Sequence, residues 1–268
     1  MKNIRMSFVH LFLIAASFLS LFPFAWMIIG MTNTSSDIVK GKFSFGGHLS
    51  ANWNKLLDSA DLGAAFYNSF LIAILGTVGT LLLSSMAGYG FEVYRSKGKN
   101  LLFNVLLLSM MIPFAAVMIP LFRMFSSFGL LNSPFAVILP SITTAFMIFF
   151  FLQNTKSFPR ELLQAGRVDG LNEWQLFSRI YMPTMKPTYA AAAIITFMNY
   201  WNSYLWPLIA LQTQDKKTLP LVVSSLASSY NPDYGIVMVA IVLTTLPTLL
   251  IFFILQKQFV QGMLGSVK

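Results

Sequence analysis

Few chain architectures can absorb what this sequence repeats: six apolar stretches, each about 20 residues long and free of charge near its middle. They run over residues 8–31, 66–90, 101–122, 135–152, 188–211 and 234–255. That length matches an α-helix crossing the hydrocarbon of a bilayer, where a backbone without water must satisfy its own N–H and C=O groups. Composition agrees, with 56% of residues hydrophobic, 10% charged and a mean hydropathy of +0.68, against about 25% charged in a soluble domain. The sequence therefore predicts an all-α, polytopic membrane protein with six transmembrane helices in a single domain over 1–268. Pro23, Pro113, Pro120, Pro140, Pro207 and Pro247 fall inside the stretches and predict local kinks. Gly76 and Gly79, like the alanines at 190–193, predict close helix contacts.

The first stretch follows Lys2 and Arg5, as a secretory leader would. Its apolar run exceeds the roughly 7–15 residues of a leader and no small-x-small cleavage site follows, so it reads as an uncleaved anchor. Basic residues set the orientation. Lys2, Arg5, Arg95, Lys97, Lys99, Lys156, Arg160, Arg167, Arg179, Lys186, Lys257 and Lys268 fall in one alternating set of segments, and outnumber Lys40, Lys42, Lys55, Arg123, Lys216 and Lys217 in the other. Basic loops stay in the cytoplasm, which places both termini there. The net charge of +9 then faces anionic lipid and cytosolic partners and requires no nucleic acid.

Reactive chemistry is sparse. With no cysteine and two histidines, His10 and His48, the chain lacks disulfides, thiolate sites and thiol nucleophiles, and a catalytic metal is not expected. No G-x-x-x-x-G-K-[ST] string occurs to hold ATP, and H-E-x-x-H, G-x-S-x-G and G-x-G-x-x-G are missing too, so no enzyme is expected. The nine acids all lie in loops or at helix ends, whereas an ion-coupled carrier needs such groups near the membrane middle. What remains inside is neutral and aromatic, in the run N-Y-W-N-S-Y-L-W-P-L-I-A-L from residue 199. Amides and flat rings suit a carbohydrate path, with Asn199, Trp201, Asn202 and Tyr204 as candidates. The alternative is a packing face with an interfacial aromatic belt.

The segment 155–187 reads as two short amphipathic helices. Ser157 is placed as the first N-cap with Pro159 in the opening turn, and Asp169-Gly170 as its end. Asn172 and Gln175 form a capping box, which sets Trp174, Phe177 and Ile180 or Tyr181 on one side before Pro183. The result is a compact cytosolic pair with an exposed apolar stripe, either lying on lipid headgroups or docking a cytosolic protein.

The string E-L-L-Q-A-G-R-V-D-G-L-N-E-W-Q-L-F-S-R-I-Y-M-P-T-M-K-P over 161–187 resembles the EAA loop of permease subunits in ABC importers. That pattern is E-A-A, three residues, Gly, nine residues, Ile, one residue, Leu, Pro. Gln164-Ala165-Gly166 stand at E-A-A, and Gly170, Ile180, Met182 and Pro183 fall at matching spacing, with Asp169 before the glycine. Gln164, Gly166 and Met182 depart from the pattern. Residues 199–211 and 246–268 are similar to the fifth span, and the last span plus tail, of the inner six-helix permease in carbohydrate importers of the maltose type, and the likeness covers nearly the whole chain. The resemblance implies a type I ABC importer permease fold in a bacterial cytoplasmic membrane. This chain would form half of the path for a sugar or oligosaccharide by alternating access. It implies four other polypeptides: a second homologous permease, two ATPase subunits that hold the ATP and Mg absent from this chain, and an extracytoplasmic sugar-binding protein. Coupling to an ATPase would fall to Gln164, Ala165, Gly166, Asp169, Gly170, Trp174, Phe177, Ile180 and Pro183. The tail 256–268, with Gln258, Gln261, Gly262 and Gly265, would be a second ATPase contact, and the loop 212–233 would face the binding protein. Two alternatives stay open: a permease for a sugar phosphate such as glycerol phosphate, and a channel independent of nucleotide.

Overall fold

The computed structural model describes residues 2–94 and 97–263, and among these the regular structure is entirely helical. Three helices are long and apolar enough to cross a membrane alone: Val9–Gly30 within α1 (Lys2–Gly30), α4 (Leu62–Val93), and Tyr234–Lys257 within α15 (Tyr234–Met263). Pro23 and Pro247 are accommodated inside α1 and α15.

Two other expected spans are sharply broken where a kinked continuous helix is predicted. α5 (Lys99–Ser109) and α6 (Phe114–Ser127) meet at 98°. Pro113 is the N-cap of α6 with extended backbone, φ −65° and ψ 135°, a conformation through which no helix continues. The second break bends the chain by 48°, between α7 (Pro134–Ile138), continued by the 3-10 turn Leu139–Ser141, and α8 (Ala145–Thr155). Ser133 caps α7 and Thr144 caps α8, each hydroxyl accepting an N–H of the first turn. The remaining apolar stretch is α12 (Lys186–Trp201), 16 residues long, followed after 202–204 by α13 (Leu205–Ala210). Counting each bent pair as one span gives up to five by length and apolarity, with α12 the short sixth.

The chain packs as two compact units. The first takes residues up to Leu62 together with Leu219–Pro247. Within it, Asn52 of α3 (Leu49–Ser59) closes the end of α1, its buried side-chain amide donating to Met31 O at 3.0 Å and Asn33 O at 2.9 Å. Those carbonyls follow a helix end and would otherwise be stranded. Thr34 caps the short α2 (Ser35–Val39).

The second unit takes Gly63–Thr218 and the chain from Thr248 on. Small residues of α4 let it approach its neighbours, as expected of Gly76 and Gly79. A Cβ at Gly76 would lie 2.6 Å from the Tyr200 ring, and one at Gly79 2.8 Å from Ile142 Cδ1. Breaking the 134–155 segment creates a polar problem that the sequence reading misses. Pro140 has no N–H to give Ala136 O four residues back. The Trp206 indole Nε1–H donates to Ala136 O instead, at 2.8 Å, and the Tyr200 hydroxyl donates to Ile138 O at 3.3 Å. Thr80 Oγ1 lies 3.2 Å from that hydroxyl and donates to Ser141 O at 3.4 Å. Donors from α13, α12 and α4 thus serve the freed carbonyls, as apolar surroundings require. Asn132, at φ +57°, performs a similar task beyond α13. Its N–H donates to Ala210 O at 2.7 Å and its Oδ1 accepts from the N–H groups of Gln212 and Thr213. Asn68 of α4 donates to Asp215 O and Lys217 O, holding the same loop.

Candidate functional site

The helix pair at 155–187 is built largely from local signals. α9 (Glu161–Val168) carries Glu161 in its first turn and Arg167 in its last, both matched to the helix dipole. Ser157 does not cap it. Its hydroxyl donates back to Asn154 O at 2.8 Å, Pro159 precedes the helix, and Arg160 is the N-cap residue. The C-terminus closes with Asp169 as C-cap and Gly170 at φ +82°. The Gly170 N–H donates to Arg167 O and the Leu171 N–H to Gly166 O, which pairs two of the last carbonyls. Asn172 and Gln175 form the expected capping box, with both bonds at 2.9 Å.

The second helix differs from expectation in its pitch. α10 (Glu173–Gln175) runs into a π-helical segment, Leu176–Tyr181, and then α11 (Met182–Thr184). At 3.6 residues per turn, Trp174, Phe177 and Ile180 or Tyr181 are expected on one exposed stripe. The wider i→i+5 winding turns Leu176, Phe177 and Tyr181 inward together. They join Tyr89, Phe158, Leu163 and Met185 in one buried cluster, with Phe177 only 4% exposed. Trp174 remains outside at 58% exposure, as does Val168 at 88%, so the exposed apolar tip is smaller than predicted.

Of the other predicted coupling residues, Gln164, Ala165, Asp169 and Pro183 are exposed and Ile180 is half-buried. Gly166 is buried where the two helices cross: a Cβ there would lie 2.6 Å from both Ile180 Cδ1 and Leu176 Cδ2. At this departure from the EAA pattern the glycine lets the two helices pack closely.

The pair is anchored to two other helices, and these anchors are absent from the sequence reading. Tyr181 OH lies 2.6 Å from Thr155 Oγ1 at the end of α8. Tyr89 of α4 packs its ring against Phe177 and Tyr181, with centroids 5.4 and 4.8 Å apart. Around this aromatic seat runs a charged rim. The Tyr94 hydroxyl donates to Glu173 Oε2 at 2.6 Å, Arg167 donates to both Glu173 oxygens at 2.9 and 3.2 Å, and Arg160 pairs with Glu92. Arg167, then Tyr94, hold the Glu173 carboxyl below its ordinary range. Glu173 raises Arg167 in return. Burial and then the bond to Glu173 raise the Tyr94 phenol.

The four path candidates do not gather on one surface. Asn199, Asn202 and Tyr204 are exposed, whereas Trp201 is 1% exposed, with its ring 4.8 Å from Phe70 and 5.6 Å from Phe197. Asn202 is the C-cap of α12 and its amide donates to Met198 O at 2.9 Å. In the tail, Gln258, Gln261 and Gly262 lie on the last turns of α15 with side-chain positions outside the described residues. Gly265 lies outside the described residues altogether.

A polytopic chain with an anchored, glycine-broken helix pair between its fourth and fifth apolar stretches has a counterpart among known families. The model of the binding-protein-dependent transport system inner membrane component matches residues 80–265, and the chain belongs to that family. It is therefore a multi-pass inner-membrane transport component. Among relatives, the lactose transport system permease protein LacG of Rhizobium radiobacter is 57% identical over 94% of this chain and 93% of its own length. The arabinooligosaccharides transport system permease protein AraQ of Bacillus subtilis is 36% identical over 96% of this chain and 94% of its own. A solved bacterial ABC transporter involved in import of the acidic polysaccharide alginate shares the fold, with TM-score 0.85, 20% identity, and coverage of 97% of this chain and 98% of that one.

Proposed function

We propose that this chain is one of two permease subunits of an ATP-driven carbohydrate importer, forming half of a path that works by alternating access. The observation that carries this reading is the helix pair 161–184: closed at its central turn by Gly170 and the Asn172–Gln175 box, seated on Tyr89, and presenting Trp174 and Val168 to solvent. A flexible loop would absorb a push, whereas a short pair anchored by Arg160 to Glu92 and by Tyr181 to Thr155 transmits it. Two cytosolic ATPase subunits, which bring the ATP and Mg, take hold of this tip and its partner's equivalent. The tail from residue 256 makes a second contact with them. Both termini are cytoplasmic, following the basic residues. The segment 212–233, whose first residues are held by Asn68 and Asn132, faces the sugar-binding protein on the other side. Kinship with lactose and arabinooligosaccharides permeases supports a disaccharide or oligosaccharide as cargo, and Asn199, Asn202 and Tyr204 offer the exposed amides and phenol that would touch it.

Reconstitution tests this directly. The chain, its co-purifying permease and ATPase, and the cognate binding protein in vesicles should take up a labelled disaccharide or oligosaccharide only when ATP is present on the ATPase side. Faster uptake of a sugar phosphate would move the substrate class, and nucleotide-independent flux through the chain alone would replace the importer by a channel. Because the chain has no cysteine, a single cysteine at Ser178 reports the side of the membrane without background.

A further inference from the structure

The helix pair lies in sequence between α8 and α12, so those two helices are its obvious levers. The structure adds a third connection. The C-terminal end of α4 is finished by Lys99, whose ammonium donates to Phe91 O at 2.8 Å and Tyr94 O at 3.2 Å. From this fixed end three side chains reach the pair at three points. Glu92 binds Arg160 at the start of α9, Tyr94 binds Glu173 at the start of α10, and Tyr89 lies under Phe177 and Tyr181. Arg167 at the end of α9 shares Glu173, so one carboxylate ties both helices of the pair to α4.

Resting on the coupling role proposed above, we infer that Glu92, Tyr94, Arg160 and Glu173 are positioning residues that make α4 a driven element of the transport cycle, moved directly by the pair. Magnitudes assign the parts. An ion pair that keeps contact with water contributes little, whereas buried ring contacts add to the stabilisation from burial itself, so the seat under Tyr89 carries the load. The charged rim fixes register and direction. Gly88 also brings α4 against the backbone of α8, since a Cβ there would lie 2.8 Å from Leu152 N, so α4 is in close contact with the helix that leads into the pair.

The test uses the assembled importer in vesicles with its ATPase and loaded binding protein. Glu92→Arg, Arg160→Glu and Tyr94→Phe each remove one tie and touch none of the exposed docking tip. Each should keep the ATPase bound and hydrolysing, yet lower solute transported per ATP by about two- to tenfold. The exchange Glu92→Arg with Arg160→Glu restores the pair and should return the ratio to within about twofold of the parent. A defect of folding alone would lower uptake and hydrolysis together, leave the ratio unchanged, and overturn the proposal. An unchanged ratio in active Tyr94→Phe and Arg160→Glu assemblies would overturn it equally, as would a charge exchange no better than the single changes. Failure of the importer reading shows elsewhere, as absence of ATP-dependent uptake in the parent.

Discussion

The indole N–H of Trp206 stands 2.8 Å from the carbonyl oxygen of Ala136, in the place of the amide hydrogen that Pro140 lacks. Both residues are buried, so the alternative to this bond is an unpaired carbonyl in an apolar setting. Trp206→Phe keeps most of the ring volume and removes the donor. It should cost about 1–3 kcal/mol, read as a lower unfolding midpoint of the purified assembly. Pro140→Ala in the same chain restores an amide hydrogen and should recover part of the loss. Equal midpoints for parent and Trp206→Phe would show that the carbonyl finds another donor.

Trp174 and Phe177 are three residues apart yet answer to different constraints. Trp174→Glu alters an exposed ring and should leave expression unchanged while weakening retention of the ATPase by at least about tenfold, measured by co-purification. Phe177→Glu places a charge in the cluster around Tyr89 and should lower the yield of folded protein before any coupling is tested. Equal behaviour of the two would mean that the tip is not the docking surface.

Much of this site was legible because its signals are local. The Asn172–Gln175 box and the Asp169-Gly170 end depend on neighbours within four residues, and both form as read. Ser157 failed as a cap because Pro159 and Arg160 shift the helix start, leaving its hydroxyl nearer Asn154 O. The burial of Phe177 and Tyr181 depends on Tyr89, far away in the chain, and on a change of helical pitch that no periodicity count assumes. The apolar stretches at 101–122 and 135–152 were visible as lipid-soluble sequence, but how sharply Pro113 and Pro140 break them depends on what the neighbouring helices offer the freed carbonyls.

Gly170 adopts φ +82°, where a Cβ meets the following carbonyl. Gly170→Ala should destabilise the pair by about 1–2 kcal/mol, and Gly170→Asn by less. Protease cleavage between α9 and α10 should accelerate in the same order, alanine before asparagine before glycine. An alanine variant as resistant as the parent would mean that the turn relaxes without strain.

The Glu173 clasp has a defined pH response. Its carboxyl titrates below the ordinary 4.5 when folded, so the stabilisation is fully present above that value and is lost as pH falls through the depressed one. Tyr94, shifted upward, keeps its proton beyond the ordinary phenol value of 10.0 and sets no limit at neutral pH. Amide exchange protection across 161–175, corrected for intrinsic rates, should be level from about pH 5 to 9 and drop below that window. Glu173→Gln should be weaker throughout and flat in acid; an acid-dependent drop surviving in it would assign the titration to another group.

Gly166 leaves no room for even one methyl group between α9 and the side chains of Leu176 and Ile180. An alanine there would meet the terminal methyl groups of Leu176 and Ile180 at 2.6 Å, so these two side chains must turn aside or shorten for the crossing to be kept. The tightness of the handle is thus set jointly by residues 166, 176 and 180, two of them on the far side of the Gly170 turn from the first.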